Sequence, residues 1–372
     1  MDFRDVTPAY LTFRVTPQEG PIAAFAEQEA WEATERYPNV MGTGLPEFFH
    51  ARECEMGGWE ILGHASNTPQ GSRDSLGSHF RMRAQEAETA GDETAHRKWM
   101  AAAHRMDREV VNEVRVRGER FRIVRACRFL RMGPNGPEPP RPSDPDTAEV
   151  GEAMLLGPKT KGFVIDPFTG TSLSEVLLKL ELVRSAGAAG SDFPEDVLAD
   201  SRRARDEYPG GVLLPAVFMI SEREDGKWLS FNPGLSHSTP QGARDSLARW
   251  LRIGGPYTLQ LDEEKRAEWA RLADRLDETR SNVLTIDGVR YRITRVERLV
   301  RIGPTGPEGP RPSDYDPEPP VEIHTRQLKE QGLWEEPDED EPVELDEDAK
   351  DFLRLAEAEA KRREERRRKR GR

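Results

Sequence analysis

One 24-residue stretch of this sequence occurs twice, and this repeat limits the folds open to the chain more than any other feature. FRIVRACRFLRMGPNGPEPPRPSD runs from Phe121 to Asp144, and YRITRVERLVRIGPTGPEGPRPSD runs from Tyr291 to Asp314. The two stretches are 170 residues apart throughout, without a gap. Because an internal repeat decides architecture before local propensity does, the sequence predicts two tandem copies of one folding pattern.

Each copy predicts the element order β-α-β-β-α-α-β-β. This order indicates an α+β fold with a mostly antiparallel sheet and helices on one face, and it overlaps the split β-α-β pattern of ferredoxin-like folds. The predicted domains are residues 1–148 and 149–330. An acidic linker and a basic helical tail follow over residues 331–372.

Several local elements follow from the spacing of apolar and turn residues. Leu11–Val15 predicts a strand, and Ile22–Arg36 predicts a helix. Asp287-Gly288 lies between two apolar runs and predicts a two-residue hairpin turn. The apolar pattern of the long strand shifts phase near Val124, which a β-bulge would explain. Ala349–Arg370 predicts a solvated helix, since its few apolar residues form no core-facing stripe.

Composition and charge bound the class of protein. The net charge is −13, and a chain with this charge is expected to bind nucleic acids poorly without sequence specificity. The acidic stretch 335–348 predicts disorder. Two cysteines exclude a disulfide framework and fit a reducing compartment. No signal peptide is evident, and the longest apolar run, residues 212–220, is too short to span a bilayer. We therefore predict a cytoplasmic protein with no membrane association.

The motif TPQG(S/A)RDSL, at Thr68 and again at Thr239, predicts a capped helix start. Free N–H groups at such a start bind anions, and a glycine there lets a ligand approach. One hypothesis is an anion or small-molecule site at these starts. Its residues would be Thr68, Gly71, Arg73, Thr239, Gly242 and Arg244. The alternative is a capped helix with a solvated Arg-Asp pair.

Arginines recur along both copies of the long strand. They are Arg120, Arg122, Arg125, Arg128 and Arg131, matched by Arg290, Arg292, Arg295, Arg298 and Arg301. One hypothesis is a positive surface for an acidic protein partner, a nucleic acid or the chain's own acidic linker. The alternative is a solvent-facing strand whose arginines pair with nearby acids and cover apolar neighbours.

The proline-rich segments after these strands also allow two interpretations. Pro139-Pro140-Arg141-Pro142 is typical of a ligand for an aromatic groove. A stiff exit segment that packs along its own domain is the alternative.

No catalytic, cofactor or metal motif is found in the sequence. His50 and Cys54 would share one face of a strand, but two ligands do not make a zinc site. We predict no cofactor and no metal, and we favour a protein that is not an enzyme.

The motifs TPQGSRDSLGSHFR and FLRMGPNGPEPPRPSD, with the tryptophan-bearing helix between them, resemble a family of uncharacterised actinobacterial proteins typical of Streptomyces. The resemblance covers most of residues 5–320 and implies a cytoplasmic bacterial protein with no activity to transfer. The leading functional hypothesis is a non-enzymatic intracellular binding or adaptor protein with a protein partner. The alternatives are ligand binding at the TPQG helix starts and nucleic-acid binding through the basic tail.

Overall fold

The computed structural model divides the chain into two compact units. Unit 1 comprises residues 1–135, 158–216 and 296–335, and unit 2 comprises residues 136–157, 217–295 and 336–372. The structure describes residues 7–17, 19–153, 160–185, 193–232, 234–334 and 347–370. The predicted boundaries at 148 and 330 follow the sequence repeat, whereas these units follow spatial contact, so the boundaries stay a prediction.

Unit 1 holds most of the described helices and strands. In chain order they are α1 Pro21–Arg36, β1 Asn39–Gly42, β2 Glu47–Glu53, β3 Trp59–Ile61, α2 Pro69–Thr89, α3 Glu93–Arg108, β4 Glu113–Val116 and β5 Glu119–Gly133. They continue with β7 Val164–Ile165, α4 Leu173–Ser185, α5 Glu195–Glu207, the first part of β8 Gly210–Glu224, the end of β11 Val289–Gly303, β12 Gly306–Pro307 and α9 Val321–Glu330.

Unit 2 holds the remaining elements. They are β6 Gly136–Pro137, the rest of β8, β9 Lys227–Ser230, α6 Pro240–Arg249, α7 Gly255–Thr258, α8 Glu263–Thr279, β10 Val283–Ile286, the start of β11 and α10 Glu347–Arg370. A π-helical turn, Trp250–Gly254, separates α6 from α7. The protein is therefore of the α+β class.

The sheet of unit 1 is built around β5. Its strand order is β7-β3-β2-β5-β11-β8, and β1 and β4 also pair with β5. The pairings of β2 and of the end of β11 with β5 are antiparallel, with Phe49 opposite Val124 and Arg298 opposite Arg128. Antiparallel pairing was predicted, but β1 was missed because its four residues lack an apolar alternation.

Both faces of β5 are buried, which explains the phase shift near Val124. Phe121 and Ile123 pack into a cluster with α2 and α3. Val124 and Ala126 pack on the other face, in a cluster formed chiefly by strands. The register with β2 runs unbroken from Phe121 to Ala126, so the predicted β-bulge is wrong there. Burial on both faces removes the alternation that a half-buried strand shows.

The core of unit 2 resembles the α2–α3 cluster in composition and position. Trp269 of α8, Leu247 of α6 and Ile293 of β11 lie in one cluster with Phe218 of β8. The β10–β11 hairpin pairs Ile286 with Val289. The β4–β5 hairpin has the same length and pairs Val116 with Glu119.

The local predictions hold in most places. The helix at Ile22–Arg36 and the turn at Asp287-Gly288 are confirmed, and both turn residues have the positive φ that such a turn requires. The strand at Leu11–Val15 is wrong. That segment forms a 3-10 turn and one isolated bridge from Val15 to Thr171, because it meets no longer strand with which to pair.

Candidate functional site

The helix start at Thr68 holds a carboxylate from the chain itself. The Thr68 hydroxyl accepts a hydrogen bond from the Gly71 amide at 3.1 Å. The Gln70 amide donates to Asp316 Oδ1 at 2.8 Å, and Arg73 Nη1 donates to Asp316 Oδ2 at 2.7 Å. Arg73 is buried, with 3% of its surface exposed. The predicted anion-binding geometry is thus present, and the anion in it is Asp316.

The helix start at Thr239 has the same construction in unit 2. Its hydroxyl accepts from the Gly242 amide at 3.1 Å, and the Gln241 amide donates to Asp146 Oδ1 at 2.8 Å. Arg244 Nη2 forms an ion pair with Asp146 Oδ2. The two bound acids are 170 residues apart in the sequence. We refer to these two arrangements as the aspartate clasps.

The glycines of the motif do not leave open space through which a ligand could approach. A Cβ at Gly71 would collide with the Ser66 hydroxyl, and one at Gly242 would lie 3.2 Å from the Ala153 carbonyl oxygen. The chain itself therefore fills the space that was expected to admit a ligand.

The two central arginines of the long strands lie inside unit 1. Arg298 has 1% of its surface exposed, and its Nη1 donates to Glu47 Oε2 at 3.1 Å. Arg128 faces it across the strand pair, 3.6 Å from Glu47 Oε1. Burial lowers the pKa of Arg128, which the Glu47 carboxylate partly offsets. The buried Glu47 carboxylate thus pairs with both arginines.

The arginines that precede this pair along each strand hold the proline-rich segments. Arg125 Nε donates to Asp314 at 2.9 Å in unit 1, and Arg295 Nε donates to Asp144 at 3.0 Å in unit 2. Arg122 and Arg292 donate to the carbonyl oxygens of Pro307 and Pro137, at 2.8 and 2.7 Å. Arg122 also stacks on Trp59, and Arg292 stacks on Trp228.

The outer arginines are also engaged within unit 1. Arg131 pairs with Glu181 at 2.6 Å, and Arg301 donates to the carbonyl oxygens of Val183 and Tyr208. The arginines from 122 to 131 and from 292 to 301, which we call the ladder arginines, therefore lie in the interior apart from the half-buried Arg295, and they form no positive surface. The expectation of a solvent-facing strand fails because β5 and β11 are covered on both faces.

The proline-rich segments pack along the protein surface as extended arms. Arg141 Nε donates to Glu138 at 2.7 Å in unit 2. The arm that follows β11 contacts α5 in unit 1, where the Ser313 amide donates to Asp200 and Arg311 Nη1 donates to Ser201. Such packing corresponds to the stiff-segment interpretation rather than to a ligand held out for a partner.

A small cavity lies beside the second arm. Its volume is about 280 Å³, and it is bounded by the arm, by the end of α5 and by the open end of the β4–β5 hairpin, at Glu113 and Arg122. Charged residues line it: Glu113, Arg122, Asp200, Arg203, Glu207, Glu308 and Arg311. Sequence reasoning missed this site because its walls come from three distant segments.

Among the residues that the structure describes, His50 and Cys54 belong to no group of three possible metal ligands. His50 is buried, burial lowers its pKa to about 4, and Cys54 is a free, half-buried cysteine. A different trio, His104, Asp107 and Glu322, places one ligand atom each within 4.8 Å of the others. Arg81 and Arg108 already bind its two carboxylates, at 2.5 and 2.7 Å, and these positive charges oppose a cation there.

The basic tail helix is docked rather than solvated. Phe352 packs edge-on against Tyr257, and Glu359 is buried beside Arg252, Arg362 and Arg363. The acidic stretch 335–348, predicted to be disordered, lies almost wholly outside the described residues. Among the described helices, none is both long enough and apolar enough to cross a bilayer.

Sequence reasoning identified the helix starts of the aspartate clasps but missed the two aspartates that bind there. Asp146 and Asp316 each lie two residues after the repeated Pro-Ser-Asp, so the repeat itself carried the signal. Their partners were identified correctly as anion-binding groups, but a second chain segment was not considered as the anion.

The fold and these sites define an α+β protein in which aspartates of the chain itself occupy the two TPQG helix starts. A model of a family of unknown function, DUF5954, matches residues 20–317, and the chain belongs to this family. Neither a curated protein nor a solved structure matches the chain.

Proposed function

We propose that this protein is a non-enzymatic binding protein that docks a protein partner on an apolar surface formed by α1 and α4. The observation that carries the proposal is a group of large apolar side chains exposed in this part of unit 1. They are Val15, Ile22, Phe25, Phe168, Leu173 and Leu177, each at least 42% exposed. Exposed apolar groups that occur together mark interaction surfaces more often than isolated ones do.

Contacts between the segments bring together the elements that carry these side chains. The Ser174 amide and hydroxyl both donate to Glu27, at 2.8 and 2.6 Å, which joins α4 to α1. Arg14 stacks over Phe168 at 5.3 Å, and the Thr16 amide donates to the Thr171 carbonyl oxygen. The apolar residues flank these contacts along the chain, so they surround one region.

The charges around this surface indicate the chemistry of the partner. Helix α1 carries four glutamates, at 27, 29, 32 and 35, against one arginine at its last residue. A partner with an apolar centre and a basic rim complements such a surface, because opposite rim charges steer association. We therefore propose a basic protein partner for this acidic chain.

The polar groups that were the other candidates are engaged internally, which supports this choice. The aspartate clasps bind the TPQG helix starts, and the ladder arginines bind acids and carbonyl groups within their own units. In the tail, Arg362, Arg363 and Arg366 pair with Glu359 or Asp277. Nucleic-acid binding through the tail remains an alternative prediction, with steep salt dependence as its expected signature.

Affinity capture with matched variants tests the proposal. The double variant I22D/F25D should lose the captured partner, whereas M56D should retain it, since Met56 is 98% exposed in the turn between β2 and β3 and belongs to neither α1 nor α4. The retained partner should elute earlier as salt is raised, because its basic rim meets acidic residues. Equal capture by the wild type and I22D/F25D would contradict the proposal.

We also propose that the two halves are tandem copies of one α+β pattern, of which a ferredoxin-like variant is one form, in an actinobacterial, cytoplasmic protein. The equal hairpins β4–β5 and β10–β11 and the two aspartate clasps at one sequence offset support the duplication. The domain boundaries at 148 and 330 belong to the same proposal. An experimental structure in which residues 291–314 do not superimpose on residues 121–144 would overturn it.

A further inference from the structure

We propose that Lys179 of α4 is a reactive amine that condenses with small apolar aldehydes to form an imine. This lysine lies on the buried side of α4, within unit 1. The α1–α4 surface uses the exposed residues Leu173 and Leu177 of the same helix. The amine is therefore a separate site, and it does not depend on the proposed partner.

Lys179 occupies a helix position that an apolar residue would ordinarily hold. Val176, Lys179 and Leu182 follow one another at three-residue spacing on one face of α4, with 5%, 6% and 0% of their surfaces exposed. Lysine is almost never buried to this degree unless an acid pairs with it. Such apolar surroundings disfavour the charged form of the side chain.

Within the described part of the chain, Lys179 forms no hydrogen bond and no ion pair. Glu175 lies one turn earlier in α4, at a spacing that favours an ion pair, but its carboxylate accepts the Ser172 amide at 3.0 Å instead. The contact that Lys179 does make is with Phe13, whose ring centre lies 5.8 Å from Nζ. This distance is close to the outer limit of a cation–π contact, so the ring stabilises an ammonium weakly.

These surroundings favour the neutral amine. Burial lowers the pKa of Lys179, and the charge of Glu175 offsets this effect in part. A neutral amine carries the free electron pair that attacks a carbonyl carbon, whereas an ammonium does not. Lysines that are removed from water in apolar sites are nucleophiles for this reason.

The amine also remains within reach of a small molecule. Nζ has no hydrogen-bond partner among the described residues, yet it is not one of the unpartnered atoms that are sealed from water, such as Ser72 Oγ. Phe13, which lies over it, is half-buried and belongs to no helix or strand. The amine is thus buried for most of its length and open to solvent at its reactive end.

The reaction balances without a cofactor or a redox partner. The Nζ electron pair attacks the carbonyl carbon and forms the C–N bond. The two protons of the amine leave with the carbonyl oxygen as water, and a C=N bond remains. The surroundings select an uncharged aldehyde, because apolar Val176 and Leu182 flank the lysine and the Glu175 carboxylate would repel an anionic carbonyl compound.

Reductive labelling of the full chain with butanal and cyanoborohydride tests the proposal, with peptide mass spectrometry as the measurement. At pH 7, Lys179 should be labelled at least about threefold faster than Lys98, an exposed lysine of α3. The ratio of the two rates should fall as the pH is raised to about 9, because Lys98 gains neutral amine over this range faster than Lys179 does. In urea-unfolded chain, the two lysines should be labelled equally.

Two substitutions of Phe13 separate reactivity from access. F13L keeps an apolar cover over the amine and should retain the pH-dependent ratio. F13S admits water to the amine, so the ratio should become nearly independent of pH.

The class of aldehyde is tested with glyoxylate, which carries a negative charge. Relative to Lys98, Lys179 should react more slowly with glyoxylate than with butanal. Three results would each overturn the proposal: labelling of Lys179 no faster than that of Lys98 at pH 7, a wild-type ratio that does not change with pH, or a preference of Lys179 for glyoxylate.

Discussion

The carboxylate of Asp316 lies 2.7 Å from the guanidinium of Arg73, although 243 positions separate the two residues in the sequence. The same carboxylate accepts the Gln70 amide at the first turn of α2. A helix start that could bind an external anion is thus used to fix the chain that leaves β11. The same arrangement joins Asp146 to α6 in unit 2.

Removing one clasp should destabilise its unit strongly. D316N leaves the buried Arg73 without its carboxylate, and breaking a buried pair from one side costs about 3 kcal/mol. Denaturant unfolding should show this loss of unfolding free energy. D206N is the control, because Asp206 is 76% exposed and should change stability by less than about 0.5 kcal/mol. Equal unfolding free energies for both variants would show that the clasp contributes little.

Acid should weaken the fold through His50. Burial lowers the pKa of His50 to about 4 from its usual 6.5, so the folded protein holds the ring neutral while the unfolded chain protonates it first. The contribution is complete above pH 6.5 and is lost as pH falls toward 4. Its full size is about 3 kcal/mol. In H50Q, unfolding free energy should fall less steeply between pH 6.5 and 4 than in wild type. M56Q, at an exposed residue that carries no titratable group, should leave the slope unchanged.

Gly306 should tolerate alanine less well than Gly288 does. Both have positive φ, +112° and +84°, so both substitutions carry backbone strain of about 1 kcal/mol. At Gly306 a Cβ would also lie 2.8 Å from Trp59 Nε1, whereas at Gly288 nothing lies within 4 Å. G306A should therefore lose about 1–2 kcal/mol more unfolding free energy than G288A. Matching losses in the two variants would mean that Trp59 moves aside freely.

The tail helix should stabilise unit 2. E359Q removes the charge that binds Arg252, Arg362 and Arg363, and should cost about 2 kcal/mol because hydrogen bonds to charged groups are the stronger kind. Limited proteolysis should release the tail faster in E359Q than in E364Q, whose residue lies on the exposed side of the helix. Unchanged cleavage in E359Q would indicate that the tail is not held by these contacts.

The sequence was sufficient for elements whose signals are local. The cap at Thr68, the turn at Asp287-Gly288 and the helix ending before Pro38 depend on neighbouring residues, and each was predicted. The short strand β1 was missed because only its pairing with β5 makes it a strand.

The site was less predictable because its partners are distant in the sequence. Spacing identified Arg73 and Arg125 as unusual, but it gave no measure of burial, and the acids that neutralise them come from the segment after β11. A run of arginines was therefore taken for a surface. The cavity at Glu308 has the same cause, since three segments form it.

Unit 1 is formed from three separate stretches of the chain, which has a consequence for its biosynthesis. When α2 and β5 leave the ribosome, Asp314 and Asp316 have not been made. Arg125 must wait for the synthesis of 189 further residues and Arg73 for 243. Nascent chains of this length are exposed to misassembly before their last segment arrives. A fragment ending at residue 148 would remain in that unfinished state permanently, so expressing the first half alone should yield an aggregation-prone product rather than a smaller version of the protein.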